Sequence, residues 1–403
     1  MCQNCDDATH KLRSLTASRR NLLLGGASLI AGPILATVTA PSQAMSAPAA
    51  NTGARKVRAF GVTSEGRGFS QIEIERRAVG PNDVALDILY AGICHSDIHT
   101  VKGDWGKPRF ACVPGHEIIG RVRAVGRNVT KFKVGDIGGV GCMVDSCGTC
   151  VNCLADREQN CLNGTTFTYD APDKVSGGYT FGGYSDWVVV TEKFVIRIPP
   201  AVDLAAYAPL LCAGVTTFSP MQHWQLKSGQ RVGVVGLGGL GHMAVKLAVA
   251  RRADITVFTT SPSKVDDAKR LGAKAVVLST DPDAMKAVAN QFDLLISTVP
   301  EAYNMQPFMD ALKLDGTLVN VGALAQLQGL DGMALGFGRK ALAGSMIGGI
   351  AETQAVIDYC ASHNIKADIE LIRPDQIDWA YERVINKDVR YRFVIDMTSV
   401  RHA

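Results

Sequence analysis

Cys94, His95, Ser96, Asp97 and His99 stand together in the stretch 91–117, AGICHSDIHTVKGDWGKPRFACVPGHE, which closes on Gly115, His116 and Glu117. A thiol at 94 and an imidazole at 116 are donors of the kind that hold zinc. A catalytic zinc needs three such protein ligands and a fourth position left open. Cys212, in Leu210-Leu211-Cys212-Ala213-Gly214, is the natural third. A Lewis acid held there lowers the pKa of an oxygen bound to it toward neutrality. The proton released must leave a site closed to water. Ser96 is placed to accept it, and His99 to pass it toward solvent. Asp97 is expected to orient the His116 ring from behind, and Glu117 to border the metal and touch it during ligand exchange. His95 is a weaker candidate for a cofactor or substrate contact. Trp105 is expected in the core rather than along a substrate channel.

Cys147, Cys150, Cys153 and Cys161 follow in C-x2-C-x2-C-x7-C spacing. Four thiolates in one loop match a closed, tetrahedral structural zinc. A disulfide pair and an iron–sulfur cluster are the alternatives, although the spacing differs from that of ferredoxins. Cys112, Cys142 and Cys360 read as ordinary buried thiols.

From Arg231 the chain alternates strand and helix. Arg231–Val235 is a short apolar strand, then Gly236-Leu237-Gly238-Gly239-Leu240-Gly241 opens a helix through Ala250. A lone G-x-G-x-x-G is weak, but a strand before it and a helix after it meet its context. The glycines admit a pyrophosphate, and the helix start offers unpaired N–H groups. Further strands are predicted at Ile255–Thr259, Ala275–Val277, Leu294–Thr298 and Leu318–Val321, which makes a doubly wound parallel α/β sheet. An NAD site would carry Asp or Glu about 20 residues past the glycines. This chain has Thr259-Thr260-Ser261-Pro262-Ser263-Lys264 instead. The hydroxyls of Thr260 and Ser261 and the ammonium of Lys264 suit a 2′-phosphate, so NADP(H) is expected over NAD(H). Arg251 and Arg252 read as a solvated charge pair.

The elements that must position the chemistry are short. β-prone runs at Val57–Val62, Gln71–Arg76, Asp83–Ala91 and Glu117–Val125 predict a small, partly barrel-like β domain. In the third, Val84, Leu86, Ile88 and Tyr90 alternate with Ala85 and Asp87, a period of two. The ligand loop leaves one of these strand ends.

The runs Gly92–Asp97, Val113–Glu117 and Cys212–Gly214 resemble the zinc-dependent medium-chain alcohol dehydrogenases, closest to the cinnamyl-alcohol-dehydrogenase-like branch of aldehyde reductases. The match runs from about Lys56 to Asp396 with its motifs in order. It implies a GroES-like β-rich catalytic domain over 45–205, completed by 343–403, and a Rossmann domain over 206–342. It also implies Cys94, His116 and Cys212 on the catalytic zinc, Ser96 and His99 as the proton relay, and two zinc ions per chain. Thr216 would lie beside the nicotinamide and Arg392 near the pyrophosphate, with Gly236, Gly238, Gly239, Leu240 and Gly241 around it. Aromatic, allylic or medium aliphatic alcohols and aldehydes are the implied substrates, reacting in the cleft between domains. A homodimer formed by strands pairing across a two-fold axis is part of the same expectation.

A length of 403 residues favours two domains. An apolar share of 47% and a charged share of 20% are those of a soluble globular protein. A net charge of +4 points to no nucleic-acid partner. Residues 1–44 differ: Ser18-Arg19-Arg20-Asn21-Leu22-Leu23 is a twin-arginine pattern, followed by an apolar run to Ala40 and by Ser42-Gln43-Ala44. Together they read as a Tat export signal to the periplasm, removed to leave no stable membrane span. A retained anchor, or a true start at Met45 giving a cytoplasmic enzyme, are the other readings. An exported enzyme would have to hold its NADP(H) tightly or use another acceptor. Two further functions compete. A non-catalytic zinc- or nucleotide-binding protein on a dehydrogenase scaffold expects a lost ligand or relay residue, and a zinc-free quinone reductase expects the ligands absent. Replacing Thr260 with Asp is expected to move coenzyme preference toward NAD(H); an unchanged ratio of kcat/KM values would remove the 2′-phosphate reading.

Overall fold

The computed structural model describes residues 53–322, 326, 327 and 329–402. The twin-arginine leader, and with it the export reading, lies outside them.

The β domain is built on a seven-stranded sheet in the order Ile369–Ile372, Arg392–Asp396, Asp83–Gly92, Ile118–Val125, Ile137–Val140 and Val195–Arg197. Trp187–Thr191 shares an edge of Asp83–Gly92 with Arg392–Asp396, since it pairs with residues 83–87 and the other with 90–92. Arg55–Gly61 and Ser70–Arg76 form a separate antiparallel hairpin. Both sit within two residues of their predicted bounds. The alternation along Asp83–Gly92 does not separate buried from exposed: residues 83–88 are all buried, Asp87 among them. This strand is central, flanked on both edges, so its alternation sorts large from small side chains. Asp87 is tolerated there because Arg123 pairs with it.

A helix, His95–Lys102, stands where the sequence reading has only a loop. Cys94 caps it, and the Cys94 N–H donates to the Asp97 carboxylate at 2.8 Å, an acid at the third helical position satisfying the first orphan donor. Only Asp97 and Ile98 are buried along it. So short a helix, with a single buried apolar residue, leaves no hydrophobic period to detect.

The second sheet is parallel throughout, in the order Ala275–Leu278, Asp254–Thr259, Arg231–Val235, Phe292–Ser297, Leu312–Asn320 and Ala341–Gly344. Numbered along the chain this is 3-2-1-4-5-6, the Rossmann order. The sixth strand was not predicted, because Ala341-Leu342-Ala343-Gly344 has no β-branched or aromatic residue. It crosses the boundary drawn between 342 and 343, and the chain leaves this sheet only after Gly344. Helix Ile350–Ser362 then packs on helix Ala213–His223, and Arg392–Asp396 rejoins the catalytic sheet beside Asp83–Gly92. One buried apolar cluster runs through both lobes, from Ile196, Leu210 and Leu211 to Val232, Val234 and Met243.

The turn before His116 depends on Gly115. Its φ of +104° is rarely open to other residues, and a Cβ there would lie 2.7 Å from the Tyr184 ring and 2.9 Å from the Gly183 nitrogen. Gly115→Ala is therefore expected to cost about 1–3 kcal/mol and to lower zinc retention. Thermal unfolding and metal analysis of the purified variant check this; an unaltered Tm with full zinc would refute it.

Candidate active site

Strands Asp83–Gly92 and Ile118–Val125 are antiparallel neighbours, with Ala91 opposite Ile118. The residues just past one, Cys94, and just before the other, His116 and Glu117, therefore meet at one sheet end. Cys212 comes to the same place as the N-cap of helix Ala213–His223. One donor atom from each of Cys94, His116, Glu117 and Cys212 lies within 4.8 Å of all the others, and all four residues are buried. The sulfurs of Cys94 and Cys212 are 3.9 Å apart. Tetrahedral Zn–S bonds of about 2.3 Å put two sulfurs about 3.8 Å apart, so this spacing fits zinc.

Burial and mutual proximity set the acid–base state of these donors. The Cys212 thiol alongside, with Arg392 and His116, holds the Cys94 thiol well below its ordinary value despite burial. Cys212 is pushed far up by the Cys142 and Cys94 thiols and by burial. Two thiols this close and this buried ionise together only around a cation. Burial opposes charge on His116, yet Asp97 raises its pKa well above the usual imidazole range. Its Nδ1 lies 3.1 Å from Asp97 Oδ1, which leaves Nε2 for a metal. Asp97 is wholly buried and accepts from Gly115 N–H at 3.2 Å and from the Tyr184 hydroxyl at 3.1 Å. The Tyr169 ring stacks on His116 with centroids 5.6 Å apart.

Glu117 does more than border the cluster. It forms a buried ion pair with Arg392, and burial pushes its carboxyl up to about 7 against the pull of that guanidinium. Glu117 Oε2 and Arg392 Nε have no partner among the described residues. Arg392 also lies against the glycine turn, since a Cβ on Gly239 would come within 2.6 Å of its Cδ. One side chain thus touches both the turn where a pyrophosphate is expected and the acid of the metal cluster.

Ser96 Oγ is 3.7 Å from Cys94 Sγ. His99 is one helical turn further on the same face, with Nδ1 2.7 Å from Asp104 Oδ2. Trp105 is not in the core: it is 49% exposed and stacks on His99 at 5.0 Å, because the turn after Gly103 carries it to the surface. His95 lies 6.1 Å from His99 between ring centres, and burial lowers its pKa. Cys142 is half-buried, with its thiol 3.9 Å from the Leu211 carbonyl and close enough to act on Cys212, so it is no ordinary core thiol. Cys112 and Cys360 are buried, and burial pushes both up to about 12.

Cys147, Cys150, Cys153 and Cys161 form a second set with sulfurs within 4.8 Å of one another. Cys147 and Cys153 are 3.9 Å apart. Backbone N–H groups of Cys147, Cys150 and Leu162 point at the Cys161, Cys147 and Cys150 sulfurs, and the N–H groups of Thr149 and Cys150 lower Cys147 to about 5. All nine described cysteines are free. Sulfurs this close fit one ion among four thiolates, rather than a disulfide or a multi-iron cluster.

At the glycine turn, Gly236 has φ +90°, and a Cβ on Gly241 would overlap the Gly236 carbonyl, while Gly238 has open space beside it. That is a cradle shaped for close approach of a ligand. Leu240 lies in the first turn of the helix behind it, which begins at Gly239. Thr216 is buried with its hydroxyl unpartnered among the described residues. At the end of Asp254–Thr259, Thr260 is exposed, Ser261 and Ser263 hydroxyls are 2.9 Å apart, and Lys264 Nζ donates to the Leu237 carbonyl at 2.9 Å. Arg251 is half-buried and lies 4.6 Å over the Phe218 ring, rather than standing in solvent as a free charge.

Tyr184, Tyr169 and the Glu117–Arg392 pair were not legible in the sequence; each joins positions far apart in the chain with no local pattern. Asp97→Asn is expected to lower affinity for one zinc roughly 10–100-fold while the Cys147–Cys161 zinc stays. Competition with a graded series of chelators checks this, and wild-type retention of both ions would refute it.

Residues 80–200 match the alcohol dehydrogenase GroES-like domain family, and 239–362 the zinc-binding dehydrogenase family. The chain is 52% identical over 346 residues to NADP-dependent alcohol dehydrogenase C 1 of Mycolicibacterium smegmatis, covering 86% of this chain and 99% of that protein. It is 50% identical over 343 residues to aldehyde reductase YahK of Escherichia coli, covering 85% and 98%. Among solved structures, a cinnamyl alcohol dehydrogenase of Sorghum bicolor superposes with TM-score 0.83 at 42% identity, covering 85% of this chain and 98% of that one. A Helicobacter pylori enzyme of the same name, complexed with NADP(H), gives 0.81 at 40%, covering 86% and 99%. The chain belongs to the zinc-dependent medium-chain alcohol dehydrogenases.

Proposed function

We propose that the protein is an NADP(H)-dependent alcohol dehydrogenase that works as an aldehyde reductase on aromatic, allylic or medium aliphatic substrates. The observation that carries this is the shared side chain of Arg392, which touches Gly239 of the glycine turn and Glu117 of the metal cluster. A dinucleotide bound at that turn has its reactive end within reach of the cluster. The relatives named NADP-dependent and the absence of an acid from 259–264 support the phosphorylated coenzyme.

Cys94, His116 and Cys212 would hold the catalytic zinc, and Cys147, Cys150, Cys153 and Cys161 the structural one. When bound, zinc supplies the Lewis acid for the substrate oxygen and NADPH the hydride. Asp97 keeps the His116 ring turned to the cluster, and Tyr184 and Gly115 keep Asp97 in place. Ser96 hands a proton to the substrate oxygen during reduction, and His99 refills it from solvent, steadied by Asp104. Thr216 offers its unpaired hydroxyl to the nicotinamide side, Arg392 meets the pyrophosphate, and Thr260, Ser261 and Lys264 meet the 2′-phosphate. The competing non-catalytic reading expects a missing ligand, and none of the seven is missing.

A homodimer is supported by Ala341–Gly344, which ends its sheet among the described residues, and by Met333 and Phe337 in the helix before it, 68% and 83% exposed. Among the described residues no single helix is long and apolar enough to cross a membrane. The leader is proposed to send the enzyme through the Tat machinery to the periplasm. N-terminal sequencing of native protein with cell fractionation tests this; a mature chain starting at Met45 in the cytoplasm would overturn it. The catalytic assignment is tested by Cys94→Ser, which should abolish aldehyde-dependent NADPH oxidation in a folded protein; retained turnover would sink it.

A further inference from the structure

Three successive residues of the returning chain touch three parts of the dinucleotide fold. Arg392 lies on Gly239 of the glycine turn. Tyr391 stacks on His242 of the helix behind that turn, with ring centres 4.9 Å apart and planes 13° from parallel. Arg390 reaches Asp267, in the first turn of Val265–Arg270, with Nε 2.6 Å from the carboxylate. That helix is capped by Lys264, so Arg390 and Lys264 share one end of it. We propose that Arg390 is a second ligand of the coenzyme's 2′-phosphate, working beside Lys264, and that Asp267 positions it by holding Nε and leaving both terminal nitrogens for the phosphate.

The balance of charge supports this. Lys264 Nζ makes its hydrogen bond to a neutral carbonyl, and the one acid acting on it is Asp267, which Arg390 already engages. Among the described residues the only side-chain hydrogen bond of Arg390 is the one through Nε. Burial first, then the charges of Arg390 and Lys387, lower the pKa of Lys264, as expected of cations gathered around a place for an anion. Asp267 already serves Arg270 as well as Arg390. A planar fork with two free N–H ends matches phosphate oxygens. A merely structural tie between Arg390 and Asp267 would stabilise the fold without distinguishing coenzymes.

The inference rests on NADP(H) being the coenzyme, and its test separates the two. Full-length, zinc-loaded protein is titrated calorimetrically with adenosine 2′,5′-bisphosphate and with AMP. The unaltered protein should prefer the bisphosphate. Arg390→Gln should weaken the bisphosphate about tenfold and AMP less than about twofold, with zinc content unchanged. Should that variant unfold, Arg390→Lys, which keeps the charge and loses the fork, should still weaken the bisphosphate alone, by several-fold. No preference in the unaltered protein overturns the NADP(H) reading and this proposal together. A preference that survives substitution of Arg390, or an equal loss for both probes, overturns this proposal alone.

Discussion

Two buried sulfurs 3.9 Å apart are the constraint that the rest of the molecule answers. The two thiols cannot both be ionised side by side in a low-dielectric pocket without a cation between them. The fold supplies the means to hold one. Antiparallel pairing brings Cys94 and His116 to the same sheet end, and the N-cap of a helix from the other side adds Cys212. Asp97 then fixes both the backbone of Cys94 and the ring of His116. A single wholly buried carboxylate therefore sets two of the three ligands, and it is itself held by Tyr184 and Gly115 from outside the ligand helix.

The same economy joins the two lobes. A metal cluster alone would bind an alcohol and do nothing with it; the reaction needs the coenzyme at a set distance. Segment 390–392 supplies that registration. It leaves the dinucleotide fold at Asp267 and Gly239 and enters the catalytic sheet as Arg392–Asp396, paired with the strand that ends at Cys94. Arg392 spans the junction through Glu117, whose carboxyl burial pushes up to about 7.

Much of this was legible in the sequence, for reasons that can be named. Metal ligands and the glycine turn are local motifs, and their meaning lies in spacing a linear reading can see. Arg231–Val235 and helix Gly239–Ala250 are bounded by the motif itself, so they fall where expected. What escaped was short or long-range. The His95–Lys102 helix is set by a cap and one carboxylate rather than by a hydrophobic face. Ala341–Gly344 is a strand because a neighbour pairs with it. Trp105, large and apolar, was expected inside, but the turn after Gly103 decides its place. Cys142 and Tyr184 acquire meaning only when strands far apart in sequence are laid side by side.

The most direct test is zinc K-edge X-ray absorption on the purified protein, with total zinc measured on the same sample. Two zinc ions per chain, averaging about three sulfurs and about one lighter donor each, is the predicted result. One zinc per chain with an all-sulfur shell would contradict a catalytic ion at Cys94, His116 and Cys212.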